Sequence, residues 1–155
     1  MSLRVDVLGT PRIEVDGEPL HVDTRKAVAL LAYLAVTSGP HARDLLVDLL
    51  WPDADPERGR AALRRTLSTL RSALGGQWVT VSRGAVGLDI EPDAVDVARF
   101  RALVGAAGDG PAAVEPLTAA VALHRDDLLA GFGLRDSVRF DDWQRDAAGE
   151  LRAEL

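Results

Sequence analysis

The sequence predicts an α+β domain over residues 1–92 followed by helices alone over residues 93–155, and three observations carry that prediction. Apolar and polar residues alternate in short runs at both ends of the first stretch, apolar residues recur at helical spacing between those runs, and beyond Pro92 only the helical spacing remains. At 155 residues, 47% hydrophobic and 27% charged, the chain is long enough for one ordinary domain and part of another.

"LRVDVLG" alternates Leu3, Val5 and Val7 against Arg4 and Asp6, and "RIEV" alternates Ile13 and Val15 against Arg12 and Glu14, so both read as strands with one buried face. Asp16-Gly17 makes a tight hairpin turn, since glycine tolerates positive φ, and leads into a short strand with Leu20 and Val22 inward. Asp23-Thr24 caps a central helix, "RKAVALLAYLAV", apolar almost all round and stopped by Ser38-Gly39-Pro40. A second helix is expected over 41–51, with Leu45, Leu46, Leu49 and Leu50 as its buried stripe. The loop "PDADP" ends in Asp55 at a cap position and Pro56 at the first helical position, where a missing N–H costs nothing. A third helix follows over 57–75, ended by Gly75-Gly76, and "WVTVS" and "VGLDI" then form a β-hairpin around Arg83-Gly84-Ala85. Strands, three helices and a hairpin in this order make a winged helix.

The third helix holds Arg58, Arg60, Arg64, Arg65 and Arg71 against a single acid, Glu57, in a chain of formal net charge -6. At 100° per residue Leu63, Leu67, Leu70 and Leu74 form one narrow apolar seam. The opposite face carries Arg58, Ala61, Arg65, Ser68 and Ser72 with Thr69 beside it, while Arg60, Arg64 and Arg71 line one flank. Small and hydrogen-bonding residues let a helix backbone approach base edges, and flanking guanidiniums hold phosphates on the groove wall. On an isolated helix this would be a solvated basic face. Between a helix-turn element and a hairpin it reads as a DNA-binding face.

Beyond Pro92, Phe100, Leu103 and Val104 mark one helix. Val114, Leu117, Val121 and Leu128 mark a second, over 112–131. Phe140, Trp143, Ala147, Leu151 and Leu155 mark a third. Gly105 to Pro111 turns the chain between the first two, which are expected to pair antiparallel. The last stripe runs to Leu155 without a cap, so a truncated chain is expected.

The N-terminal strands, the "RKAVALLAYLA" helix, the stretch "DLLWPDADPERGRAALRRTLSTLRSALG" and the downstream hairpin resemble the SARP (antibiotic regulatory protein) family of bacterial transcription factors over most of residues 1–92. The resemblance implies an OmpR-type winged helix over 1–92. It also implies the opening part of a tetratricopeptide-like bacterial transcriptional activator domain over 93–155. It further implies that α-helical base reading is joined by a wing contact through Arg83 on the minor groove or its phosphates, and by a Trp51 indole N–H donated to a phosphate. Arg25 and Arg43, at helix starts, are further candidates for phosphate contact. The acidic loop with Asp53 and Asp55 would face RNA polymerase, and two copies would sit side by side on promoter direct repeats. His41 stands where family members often have a serine or threonine cap.

The rest of the composition narrows the field. No leader and no run of eighteen apolar residues occurs, so a cytoplasmic protein without membrane contact is expected. Without cysteine there is no thiol nucleophile and no zinc finger. His21, His41 and His124 fall in no metal-ligand spacing, the carboxylate pairs Asp126-Asp127 and Asp141-Asp142 do not face one another on a helix, and "GAAGDG" lacks the Gly-Lys-Ser/Thr of a phosphate loop. No catalytic residue, cofactor or metal is expected. The reading is sequence-specific binding of double-stranded DNA by a transcriptional activator. A protein-interaction module without intrinsic DNA binding is the alternative.

Overall fold

The structure is a computed structural model that describes residues 2–37 and 39–155; Ser38, one member of the expected helix stop, lies outside them. The fold is α+β, with antiparallel strands and several helices. Strands β1 (Leu3–Asp6), β2 (Arg12–Val15) and β3 (Glu18–Pro19) form a sheet in the order β1-β2-β3, with Val5 opposite Ile13 and Leu3 opposite Val15. Asp16 (φ 53°) and Gly17 (φ 83°) form the two-residue turn that places Val15 opposite Glu18. The third strand is shorter than expected. Its residues Glu18 and Pro19 pair with β2, and Leu20 N still donates to Ile13 O at 2.8 Å beyond them; Val22 is buried and Leu20 half-buried.

Helix α1 (Arg25–Val36) is capped by Thr24, whose hydroxyl accepts from Ala27 N at 3.2 Å, and buries six of its residues. The next helix corrects the expectation in two ways. His41–Ala42 is a strand, β4, paired with Val86 and Ala85, because the later hairpin offers an unpaired edge there. Helix α2 (Arg43–Leu50) then buries Leu46, Val47, Leu49 and Leu50, while Leu45 is 44% exposed. Val47 takes the inward place because it meets Gly59 of the following helix.

Helix α3 (Pro56–Ala73) starts as expected: Pro56 takes the first position and the Asp55 carboxylate accepts from Arg58 N at 2.9 Å. It ends where Gly75 (φ 67°) and Gly76 (φ 76°) turn the chain, with Gly76 N donating to Arg71 O at 2.8 Å. The leucine seam is buried at all four positions, Leu63, Leu67, Leu70 and Leu74. Strands β5 (Val79–Val81) and β6 (Ala85–Leu88) complete a second sheet in the order β4-β6-β5. Both are shorter than their alternating runs. Trp78 falls outside β5 at φ 68°, although its carbonyl still accepts from Asp89 N.

Helices α4 (Asp96–Ala107), α5 (Val114–Leu123) and α6 (Val138–Ala153) follow, and α4 packs on α5. Here the expected stripes hold for Phe100, Phe140, Ala147 and Leu151, which are buried. They fail on α5. Val114 and Val121 are exposed, and the helix stops at Leu123, eight residues short of the expected end. Leu129 (φ 55°) and Gly131 (φ 76°) bend the chain there, so Leu128 and Leu129 reach the core from a loop rather than a helix. Leu155 is also exposed, beyond the last turn of α6.

The C-terminal segments pack directly on the opening sheet. Val5 bridges Val95, Leu8 bridges Leu128, and Leu129 N donates to Val7 O at 2.8 Å. Buried Asp96 accepts from Val7 N at 3.0 Å and Leu8 N at 2.8 Å. Burial raises its carboxyl above the ordinary range, against the lowering effect of those two amides. One hydrophobic cluster runs from Leu3 to Leu151.

Candidate nucleic-acid interface

Helix α3 is amphipathic in the plainest sense: its leucine seam is inside and its arginines are outside. Arg58, Arg60, Arg64, Arg65, Ser68, Arg71 and Ser72 are all exposed, and Thr69 is half-buried at the border. Two of the five arginines are held by acids. Arg58 Nε lies 3.6 Å from Asp55 and Arg60 Nη1 lies 4.0 Å from Asp44 on α2. Arg64, Arg65 and Arg71 make no ion pair among the described residues, and neither does Arg83, exposed in the β5–β6 turn. A row of uncompensated guanidiniums in a chain of net charge -6 concentrates positive potential on one surface.

The C-terminal half of α3, the start of α2 and the hairpin together border an open groove lined by Arg64, Ser68, Arg71 and Ser72 on one wall and Arg43 and Val81 on the other. Arg43 builds this groove. Its backbone N–H donates to Gly84 O at 3.0 Å and its Nε donates to Ser82 O at 3.3 Å, which ties the turn carrying Arg83 to the start of α2. Its terminal nitrogens make no further hydrogen bond among the described residues.

Other expected site residues lie elsewhere. Arg25 faces the loop after α5: Nη2 and Nε donate to Gly133 O at 2.8 and 3.1 Å, and the guanidinium sits 4.7 Å from the Phe132 ring centroid. The structure does not bring it to the α3 groove. Trp51 is half-buried at the end of α2, with the Lys26 ammonium 5.3 Å from its ring. Asp53 is exposed in the α2–α3 corner, and Asp55 next to it caps α3.

A junction that the sequence did not suggest lies beside that corner. Lys26 Nζ donates to Leu50 O and, at 2.7 Å, to Ser137 Oγ, and it pairs with Asp136 at 2.9 Å. The hydrogen bond from Lys26 holds the Asp136 carboxyl below its ordinary range. The one available signal is that the sole lysine of the chain stands, beside Arg25, at the start of a helix apolar from Ala27 onward apart from the Tyr33 hydroxyl. Among the described residues no cluster of histidines and carboxylates could hold a metal ion, and no helix is long and apolar enough to cross a membrane.

Comparison with known proteins places this arrangement. No family model matches the chain. The regulatory protein AfsR of Streptomyces coelicolor is 34% identical over 92% of this chain and 16% of its own length. The transcriptional regulatory protein EmbR of Mycobacterium tuberculosis is 34% identical over 47% of this chain and 19% of its own. The solved structure of M. tuberculosis EmbR in complex with a low-affinity phosphopeptide superposes with a TM-score of 0.79 at 27% identity, over 98% of this chain and 43% of that one. Both relatives are named as regulatory proteins, neither as an enzyme. These relatives support the resemblance to the SARP family, and the chain spans well under a quarter of the length of the curated relatives it matches.

Proposed function

We propose that residues 1–92 form a winged-helix domain that binds double-stranded DNA in a sequence-specific manner, as part of a bacterial transcriptional activator acting in the cytoplasm. Helix α3 enters the major groove, and the β5–β6 wing lies on the adjacent minor groove or its backbone. Residues 93–155 are the opening part of a tetratricopeptide-like activator domain. The single observation that carries this reading is the set of exposed, uncompensated arginines on α3 and in the wing turn, Arg64, Arg65, Arg71 and Arg83, of which Arg64 and Arg71 line the groove between α3 and the wing. Arg65, Ser68, Thr69 and Ser72 read base edges. Arg58, Arg60, Arg64, Arg71 and Arg83 hold phosphates, joined by the Trp51 indole and by the free end of the Arg43 guanidinium. Arg25 is left out, since its donors are committed to Gly133. On direct repeats two copies lie side by side, with Asp53 and Asp55 turned toward RNA polymerase.

The test is recovery of a duplex from a randomised pool, followed by affinity measured against salt. Contact with Z phosphates gives a slope of log affinity on log salt of about -0.9Z. A slope steeper than about -3, with preference for the recovered duplex over a scrambled one, supports the reading. Absence of binding to any duplex favours the protein-interaction module instead.

A further inference from the structure

The last carbonyls of a helix have no partner within it, and that of Leu50 closes α2 immediately before the corner into α3. Two donors from distant parts of the chain meet on this one oxygen. Lys26 Nζ arrives from the start of α1, and Ser137 Oγ from the start of α6, 87 residues away in sequence. Lys26 also donates to Ser137 Oγ at 2.7 Å, so the ammonium, the hydroxyl and the carbonyl form a closed triangle.

Ser137 occupies the N-cap position of α6, where a serine ordinarily accepts from its own first turn. It makes no such bond. The side chain is completely buried, and its proton goes across to α2. A buried hydroxyl that leaves its own helix uncapped in order to hold another element is oriented by that element. The triangle therefore fixes the end of α2 against α6.

The corner transmits that position. Only residues 51–55 separate α2 from α3, Trp51 N is still bonded to Val47 O, and Gly59 sits against Val47, so the first turns of α3 cannot shift independently of α2. We infer that Ser137, with Lys26, is a positioning residue for the reading helix, through which residues 93–155 set the angle at which α3 meets base edges. This rests on the reading of α3 as the DNA-contacting helix. It makes the helical part a determinant of sequence discrimination, with no contact of its own to the bases.

The experiment uses the whole 155-residue chain, a duplex recovered by the wild type from a randomised pool, and a scrambled duplex of equal composition. Ser137→Ala lowers the preference for the recovered duplex by about fivefold, within the range of couplings carried by residues that touch neither partner. Its affinity for the scrambled duplex and its salt slope stay at wild-type values, because the phosphate contacts remain. Lys26→Met, which keeps the Ser137–Leu50 bond, lowers the preference in the same direction by a smaller factor and decides the matter if Ser137→Ala does not fold. Leu103→Ala on α4, remote from the junction, controls for loss of stability alone. If that control lowers the preference as much as the junction variants do, or if a folded junction variant keeps the wild-type preference, the inference is overturned while the DNA-binding reading stands. If the wild type shows no preference for any duplex, the reading itself fails.

Discussion

Gly59 of α3 faces Val47 of α2 so closely that a Cβ built on the glycine would fall well inside van der Waals contact with Val47 Cγ1. The two helices cross at this point because one of them has no side chain there. Gly59→Ala gains about 1 kcal/mol of helix propensity but overpacks a stiff, buried valine at a cost of about 1–3 kcal/mol. Net destabilisation of about 1 kcal/mol is expected in urea unfolding. In the double variant with Val47→Ala, the two losses add to less than their sum, which isolates the contact.

His41 provides a pH dependence. Thr37 Oγ1 donates to Tyr33 O, so the hydroxyl accepts from His41 Nε2 at 2.8 Å, and the ring sits 5.0 Å from that of Tyr33. Burial lowers the pKa of His41 below the ordinary histidine value. The unfolded chain therefore binds the proton more readily than the folded one. The stability this contributes is complete above the unfolded pKa, about 6.5, and is lost as pH falls through that value toward the lower folded pKa. Thermal melts at pH 7.5 and 5.5 should differ less for His41→Gln than for wild type; an unchanged difference would assign the pH effect to other groups.

Arg65 and Arg83 separate reading from holding. On the proposed function Arg65, opposite the leucine seam, would face base edges, where a bidentate contact to guanine is worth about 1–3 kcal/mol of discrimination, whereas Arg83 in the β5–β6 turn would meet backbone. Arg65→Ala should weaken binding to the recovered duplex more than to a scrambled one. Arg83→Ala should weaken both about equally and reduce the salt slope by about one unit. Equal losses on both duplexes for Arg65→Ala would move Arg65 to the phosphate-holding set and leave the reading to Arg64, Ser68 and Thr69.

Asp53 tests the acidic corner. It is exposed, and the neighbouring Asp55 rather than Asp53 caps α3, so Asp53→Ala leaves the helix start intact. On the proposed function it should lower transcription from a promoter carrying the recovered duplex while promoter occupancy is unchanged. Wild-type transcription would limit the corner to its structural role.

What was legible in the sequence was local. Asp55-Pro56, the seam from Leu63 to Leu74 and Gly75-Gly76 fixed α3 within a few residues, because cap, stripe and stop all act within one turn of their own position. Asp16-Gly17 did the same for the first hairpin. Misreadings fell where distant pairing overrode local preference. His41 became a strand because Val86 offered an edge, and Leu45 turned outward because Gly59 drew Val47 in. Likewise, α5 stopped early because Leu128 was drawn to Leu8. At the candidate site the arginines of α3 could be placed from periodicity, whereas the engagement of Arg25 with Gly133 and of Lys26 with Ser137 spans more than a hundred residues, and no spacing rule reaches that far.

The two-sided pairing of β1 bears on how the chain is made. β2 emerges from the ribosome soon after β1 and can pair with it at once, but the amides of Val7 and Leu8 wait for Asp96, and the carbonyl of Val7 waits for Leu129. At synthesis rates of about 5–20 residues per second the opening sheet spends several seconds with one edge unpaired. Long-range closure of this kind slows folding and leaves a strand edge open to other chains in the interval. The arginine helix precedes Asp96 and Leu129 in the chain, so a nascent chain carries its cationic face before the segments that pack on the opening sheet have been made.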